Sequence, residues 1–253
     1  MRILSNVGVR LGLGAASVAG AAILASLVSD ALAIAACLAA YCGYVRLVEK
    51  RWPPAELALT RAAARELAGG FALGVVLFGA TMLWIALVAD ARFTVTGGAS
   101  ALPRLVLLGA VAATVEELLF RGVLLRLLAG WLGRWWALAI SAVVFGGMHM
   151  LNPHATVIGA VAIAVEAGIL LGAAFLATGR LWLPLGLHAA WNATEGAFGV
   201  AISGTDAPAG YVETHLTGPA IWTGGGFGPE ASLAAVILCL AAAAVFLRKL
   251  STQ

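Results

Sequence analysis

Long apolar blocks alternate with short polar or proline-containing breaks along almost the whole chain. Most of these blocks approach or reach the roughly 20 apolar residues that an α-helix needs to cross a bilayer. The pattern therefore predicts an all-α fold, a polytopic membrane helix bundle with about eight transmembrane helices. The predicted spans cover residues 9–28, 30–48, 67–89, 101–128, 135–151, 156–178, 181–202 and 232–247.

The first two predicted spans leave two alternatives open. Only Ser29 and Asp30 separate them, so they are either two helices or one long broken helix. Arg2 and Arg10 precede an apolar run that ends near Ala31-Leu32-Ala33, which is an arrangement typical of a cleaved signal peptide. The apolar run is longer than the usual signal-peptide core of about 7–15 residues, so we expect a retained first helix.

The composition agrees with a membrane protein and excludes several other classes. Hydrophobic residues make up 62% of the 253 residues and charged residues only 11%, whereas soluble domains average about 25% charged residues. The net charge of +3 does not provide the dense basic face of a nucleic-acid-binding protein. The partners that we expect are membrane lipids and a peptide or membrane-protein substrate, and the oligomeric state is left open.

The distribution of basic residues predicts the orientation of the chain. If the N-terminus is cytoplasmic and the chain crosses eight times, only Arg92 and Arg104 lie on the outer side. Such a bias is typical of membrane proteins, whose cytoplasmic loops are enriched in Lys and Arg. We therefore predict a multi-pass protein of a bacterial cytoplasmic membrane with both termini in the cytoplasm. The basic residues placed on the cytoplasmic side are Arg2, Arg10, Arg46, Lys50, Arg51, Arg61, Arg65, Arg126, Arg134, Arg180, Arg248 and Lys249.

Two loops are long enough to have a structure of their own. Residues 49–65 are rich in charge and carry Trp52-Pro53-Pro54, which predicts an amphipathic segment on the cytoplasmic membrane surface. Residues 203–229 are rich in Gly and Pro and contain no Lys or Arg. This composition predicts a series of turns on the outer face rather than a span.

Ionisable residues within apolar spans are costly and usually functional. Glu116, Glu117 and Arg121 fall in the fourth predicted span. Glu117 and Arg121 are four residues apart, so they share a helix face and are expected to pair. Glu116 points about 100° away and remains available as a general base. The alternative is an ion pair that only holds helices together.

Two further polar groups lie in the fifth and seventh predicted spans. His149 follows Phe145-Gly146-Gly147-Met148 and is a candidate base, metal ligand or packing residue. The two glycines allow a backbone or a substrate to approach closely. His188 and Asn192 share a helix face and can both donate hydrogen bonds to a developing oxyanion. The alternative for this pair is hydrogen bonding between helices.

Four other polar residues are assigned lesser roles. We expect Glu166 and Glu195 to be partners of site residues or to lie near the ends of spans, and His154 and His215 to lie in outer loops. A transport pathway also uses intramembrane Glu and His. It is more often accompanied by paired repeats and helices broken at the midplane, and the sequence shows neither.

Together, the three polar groups resemble the three motifs of the CPBP intramembrane proteases, also called the Abi or type II CAAX prenyl protease family. The resemblance covers residues 102–200, which correspond to the family's four-helix core, and the glycines before Pro229 resemble an outer loop of some bacterial members. It divides the chain into N-terminal helices with a basic loop (1–100), a CPBP-like catalytic core (101–202), and a Gly/Pro-rich outer loop with a C-terminal helix (203–253). The motifs are Glu116-Glu117-x-x-x-Arg121, Phe145-x-x-x-His149 and His188-x-x-x-Asn192.

The resemblance implies an intramembrane endopeptidase that acts on a membrane-associated or lipidated peptide. In the eukaryotic and archaeal branch of the family, the substrate is a prenylated C-terminal CAAX peptide. Carried over to this chain, Glu116 and His149 activate the water, and His188 and Asn192 hold the oxyanion. The residues implied to support and orient this site are Glu117, Arg121 and Phe145.

Cofactor use and activity each have an alternative. The family has also been described as metalloproteases, and Glu116, His149 and His188 would leave an open fourth position on zinc. Because the chain lacks His-Glu-x-x-His, we favour a metal-free glutamate mechanism. The alternative function is a non-catalytic scaffold or immunity protein of the same fold. The predicted spans also place the three residues at different depths, so the fourth span is expected to tilt.

Overall fold

The structure is a computed structural model that describes residues 6–26 and 28–251. It is mostly helical, at 77%, and Arg2 of the predicted cytoplasmic N-terminus lies outside the described residues. Two stretches are π-helical, namely Leu118–Leu125 (π1) and Ala164–Gly168 (π2). The α-helices are α1 Val7–Ser26, α2 Asp30–Leu47, α3 Arg61–Val88, α4 Leu102–Glu117, α5 Arg126–Leu132, α6 Arg134–Met148, α7 Val157–Ile163, α8 Ile169–Thr178, α9 Trp182–Phe198, α10 Ala220–Thr223 and α11 Leu233–Ser251.

Five helical segments in the described part of the chain are long and apolar enough to cross a membrane. This number supports a multi-pass membrane protein, whereas the count of eight and the orientation of the termini remain predictions. The fifth and seventh predicted spans correspond to α6 and α9, which have only 15 and 17 residues. The five segments are Val7–Ser26, Asp30–Leu47, Arg61–Val88, Val157–Thr178 and Leu233–Leu250.

The first two predicted spans are two separate helices, α1 and α2, rather than one broken helix. The side chain of Ser29 caps the start of α2 by accepting a hydrogen bond from the backbone N–H of Leu32 at 3.2 Å. Such a cap satisfies a backbone donor that the first helical turn leaves unpaired. The two helices pack together, and the Cys37 thiol lies 3.8 Å from the carbonyl oxygen of Val18.

A small two-stranded β-sheet, which was not predicted, accompanies the mostly helical fold. Strand β1 (Asp90–Val95) pairs antiparallel with β2 (Val212–Thr217), with Asp90 opposite Thr217 and Val95 opposite Val212. The first strand lies in the short connection before α4, and the second lies in the Gly/Pro-rich segment 203–229. Residues 203–229 were predicted as turns from their Gly and Pro content, but β2 also contains Val212, Thr214 and Thr217, β-branched residues that favour strands. The sheet ties these two connections together.

Helix α9 lies at the centre of the bundle, where it packs against α3, α4 and α8. Close approach between α4 and α9 depends on Gly109. A Cβ atom at this position would lie 2.5 Å from the carbonyl oxygen of Ala189, which is too short for any real side chain. The backbone of α4 therefore passes close to α9, and this contact lies within two helical turns of both Glu116 and His188.

Adjacent glycines in the Phe145–His149 motif have different environments, which leads to a stability prediction. A Cβ at Gly146 would collide with the carbonyl oxygen of Ala160 on α7, whereas a Cβ at Gly147 would meet no atom within 4 Å. Gly146→Ala is therefore expected to lower the thermal unfolding temperature in detergent. Gly147→Ala is the matched control and is expected to be neutral or slightly stabilising, because Ala favours helix more than Gly. Equal effects of the two substitutions would contradict the close contact between α6 and α7.

The charged segment after α2 folds into a compact ion-pair cluster. Arg51 donates hydrogen bonds to both carboxylate oxygens of Glu56, at 2.8 and 2.7 Å, and Arg126 binds Glu49 at 2.6 Å. The hydroxyl of Tyr41 also donates to Glu56. Glu56 is buried in this cluster, so the segment is packed against α2 and the end of π1 through specific contacts.

Acid is expected to weaken this cluster. Burial opposes the ionisation of Glu49 and Glu56, but Arg126 and Arg51 more than offset it, so the pKa of each carboxyl lies below its usual value. Their contribution to stability is therefore complete above the ordinary glutamate pKa of about 4.3 and is lost as the pH falls through the lower folded-state pKa. We expect the unfolding temperature to fall between pH 6 and pH 3 and this fall to be smaller in Glu56→Gln. Glu213→Gln, on the exposed strand β2, should retain the full pH dependence.

Candidate active site

The three sequence motifs meet at one cavity of about 390 Å³. Glu116, His149, His188 and Asn192 all line it, so the four residues proposed as catalytic from the sequence are brought together. The different depths predicted for them do not prevent this. Glu116 lies near the end of α4, His149 directly follows α6, and His188 lies in the second turn of α9.

A buried ion pair lies directly behind the cavity. Arg121 donates a hydrogen bond from Nη1 to Oε1 of Glu117 at 2.8 Å, and both side chains are completely inaccessible to solvent. The same Glu117 oxygen lies 2.8 Å from Nδ1 of His188. The pairing expected from the four-residue spacing is therefore present. It also extends to His188 on another helix, so it fixes the imidazole of a cavity residue.

Arg121 also joins three parts of the site. Its Nη2 donates to the carbonyl oxygen of Ala167 at 3.1 Å, and its guanidinium lies over the ring of Phe145, 4.5 Å from the ring centroid. Cation–π contacts of this kind stabilise by roughly 2 kcal/mol when they are desolvated. Phe145 therefore contacts Arg121 on one side and His149 on the other, with 4.8 Å between the Phe145 and His149 ring centroids. This position is consistent with the supporting role that the resemblance implies for Phe145.

The two π-helical stretches were not predicted, and both lie at this site. The first, π1, carries Arg121, while π2 carries Glu166 and offers the Ala167 carbonyl oxygen to Arg121. A π turn bonds residue i to i+5 and is often found at functional sites. The wider turn leaves carbonyl groups able to accept a bond from another helix, which Arg121 uses.

The hydrogen bond of His149 determines which of its nitrogens can accept a proton. Nδ1 lies 2.7 Å from the carbonyl oxygen of Phe145. Because a carbonyl oxygen can only accept, Nδ1 carries the hydrogen. In the neutral ring Nε2 is then unprotonated. The geometry therefore leaves a basic nitrogen on a buried residue that lines the cavity.

His188 and Asn192 lie one helical turn apart on α9, as the sequence predicted. Nδ1 of His188 donates to Glu117, and its Nε2 lies 3.8 Å from Oε2 of Glu116. This separation is too long for a direct hydrogen bond. The side-chain amide of Asn192 makes no hydrogen bond to another residue in the described ranges, so its N–H groups are able to donate to a bound group.

Three other glutamates are buried beside the cavity. Glu166 lies near the middle of the segment Val157–Thr178 and lines the cavity, whereas Glu195 lies in the last turn of α9. Glu230 also lines it and accepts a hydrogen bond from Nε1 of Trp191 at 3.0 Å. Glu230 was not predicted as a site residue because it lies outside the three motifs. Its position directly after the glycine-rich segment and Pro229 was the one available signal.

The remaining two histidines lie away from the four converging residues. His154 is in a loop, as predicted, with Nε2 2.9 Å from Oδ1 of Asp206. His215 was also predicted in a loop but lies on strand β2 opposite Arg92. Strand β2 was not predicted, so the loop assignment of His215 was wrong.

The three residues considered for zinc, Glu116, His149 and His188, all line the cavity. Across residues 6–26 and 28–251, no group of three His, Cys, Asp or Glu side chains that could hold a metal ion is found. Both histidines bind protein acceptors through Nδ1, which is an arrangement that metal-bound histidines also have.

A comparison with protein families matches the region that contains all three motifs. Residues 98–194 match the model described as type II CAAX prenyl endopeptidase Rce1-like. No curated protein and no solved structure is significantly similar to the chain. The match, with the apolar helices, fits a hydrolase of the membrane-protease type and supports a CPBP, CAAX protease-like family for this region of the chain.

Proposed function

We propose that this protein is an intramembrane endopeptidase that hydrolyses a peptide bond in a membrane-associated or lipidated peptide. The family match points to a CAAX-type protease. The observation that carries the more specific proposal is that Glu116, His149, His188 and Asn192 line one cavity. Hydrolysis requires a water held by a base together with donors where negative charge develops, and these four side chains supply both.

Glu116 and His149 are proposed to activate the water. Glu116 removes a proton as the water oxygen bonds to the carbonyl carbon of the substrate. Nε2 of His149 accepts this proton from Glu116 and passes it to the leaving nitrogen as the carbon–nitrogen bond breaks, which returns both groups to their starting state. The hydroxyl of the water thus remains on the new carboxyl group, and its proton ends on the released amine.

His188 and Asn192 are proposed to hold the oxyanion that forms in this step. His188 can donate from Nε2 while its Nδ1–H remains bonded to Glu117, which requires the doubly protonated ring. The neighbouring carboxylate of Glu117 stabilises that positive charge. Asn192 supplies a second, neutral donor from the same helix face. Glu117 and Arg121 are positioning residues in this scheme because they act through His188.

Cleavage of a peptide library tests the proposal. Purified protein in detergent is incubated with tagged membrane peptides, and products are identified by mass spectrometry. We expect products that are absent with Glu116→Ala and that persist when a metal chelator is present. Loss of cleavage with the chelator and recovery with zinc would contradict the metal-free mechanism. No cleavage at all would favour the non-catalytic scaffold.

A further inference from the structure

Tyr41 connects the ion-pair cluster after α2 with the π1 stretch. Its hydroxyl oxygen lies 3.0 Å from the carbonyl oxygen of Gly122 in π1 and also donates to Glu56. A hydroxyl has a single hydrogen, so these two acceptors share it. Tyr41 is completely buried and Glu56 is almost so, and hydrogen bonds of buried groups are costly to leave unmade. The position of Gly122 is therefore tied to the segment that carries Glu56.

A second side chain of the same cluster also holds Gly122. Nε of Arg126 donates to the Gly122 carbonyl oxygen at 2.7 Å, while Nη2 of Arg126 binds Glu49. The missing side chain of Gly122 allows Tyr41 to come this close, since a Cβ atom there would lie 3.0 to 3.1 Å from three atoms of the Tyr41 side chain. The Tyr41 ring thus packs directly on the backbone of π1.

The peptide group held in this way directly follows Arg121. The carbonyl oxygen of Arg121 accepts the backbone N–H of Arg126, five residues further on. The Arg121 guanidinium binds Glu117, and the same Glu117 oxygen accepts the Nδ1–H of His188. A shift of the π1 backbone would therefore move Arg121 relative to Glu117 and change the orientation of the His188 imidazole. A displacement of about 1 Å in a reacting group can lower a rate by about 100-fold.

We infer that Tyr41 is a positioning residue for the reaction, because it holds π1 in the position from which Arg121 orients His188. The inference rests on the proposed protease function. Tyr41 lies outside residues 98–194, which match the family model, so part of the site's geometry is assigned to the N-terminal helices. Tyr41 is completely buried and does not line the cavity. Removing its hydroxyl should therefore change the rate of the bound complex and leave substrate binding unaltered.

Tyr41→Phe tests this inference, because it removes the hydroxyl and keeps the ring. We expect kcat for a cleaved peptide to fall about fivefold, the size expected when one neutral hydrogen bond is lost, with KM unchanged. Tyr44→Phe is the matched control, since Tyr44 is also buried on α2 and its hydroxyl has no hydrogen-bond partner among the described residues. It should retain the native kcat. In a Glu117→Gln background, Tyr41→Phe should change kcat by less than about twofold, because the effects of residues that act through one another are not additive.

A spectroscopic measurement tests the inference without cleavage. In protein with isotope-labelled histidine, the Nδ1–H of His188 gives a ring N–H signal in the NMR spectrum that reports its bond to Glu117, and its absence in His188→Gln assigns it. We expect Tyr41→Phe to shift or broaden this signal and Tyr44→Phe to leave it in place. An unchanged signal or an unchanged kcat in folded Tyr41→Phe would overturn the inference. If the native protein cuts no peptide, the proposed function fails, and the His188 signal alone decides whether Tyr41 positions the imidazole.

Gly122→Ala provides a second variant if Tyr41→Phe does not fold. The added Cβ atom would push the Tyr41 ring away from π1, so this variant should reproduce both the loss of kcat and the change in the His188 signal. Gly130→Ala is its matched control, because a Cβ atom at Gly130 would meet no atom within 4 Å. Native values of kcat and of the His188 signal in folded Gly122→Ala, or equal changes in the two alanine variants, would contradict the role of Tyr41.

Discussion

Glu116→Gln is expected to abolish peptide cleavage while the protein stays folded. Glu116 is the proposed base, and removing such a group costs about 10²–10⁴-fold in rate. Its side chain is 29% exposed in the cavity, and its buried Oε2 has no partner. Gln has the same shape, so little stability should be lost. Initial cleavage rates and thermal unfolding in detergent measure the two effects.

His149→Ala should lose activity to a similar extent, because it removes the group that passes the proton to the leaving nitrogen. Glu213→Gln serves as the matched control, since it makes the same chemical change as Glu116→Gln on an exposed strand. Full activity in either Glu116→Gln or His149→Ala would refute the proposed mechanism. An equal loss of activity in Glu213→Gln would mean that removing any carboxylate lowers activity, and that the loss in Glu116→Gln does not identify Glu116 as the base.

Arg121→Met is expected to lower the free energy of unfolding by about 3–5 kcal/mol, because it leaves the buried carboxylate of Glu117 without its partner. The double variant Glu117→Gln with Arg121→Met should recover part of this loss, since no unpaired buried charge remains. Thermal or denaturant unfolding in detergent, monitored by circular dichroism, measures the stability of the native protein, of Arg121→Met and of the double variant.

An exposed arginine provides the control for this prediction. Arg92 lies 3.5 Å from Asp90, and its side chain is 78% exposed. Exposed ion pairs contribute about 1 kcal/mol or less, so Arg92→Met should change stability little. Similar losses in Arg121→Met and Arg92→Met would mean that burial does not determine the strength of the Glu117 pair.

The features that could be predicted from the sequence are local ones. The pairing of Glu117 with Arg121 and the shared face of His188 and Asn192 follow from a spacing of four residues within one helix. The apolar blocks similarly predict helices because each block specifies its own backbone. Convergence of the three motifs was expected only through the family resemblance, since spacing within helices does not determine how helices pack.

The features that were missed depend on contacts between distant segments. Strands β1 and β2 are more than a hundred residues apart in the chain and stabilise each other by pairing, which no local pattern reports. Glu230 reaches the cavity only because the segment before it folds back over the bundle and Trp191 binds it. The π turns leave no clear compositional mark, since each contains apolar residues and a single glycine, a composition that the neighbouring α-helices share.

The π1 stretch determines how the two ends of one long helix are rotated relative to each other, so it limits which deletions the sequence can tolerate. Each π turn accommodates one residue more than an α turn, which rotates everything beyond it by about 100°. Arg126, at the far end, reaches Glu49 in the ion-pair cluster after α2, while Glu116 faces the cavity at the near end. Deleting one residue from Leu118–Leu125 would restore a regular helix but put these two faces out of phase. The length of this stretch is therefore under tighter constraint than its composition.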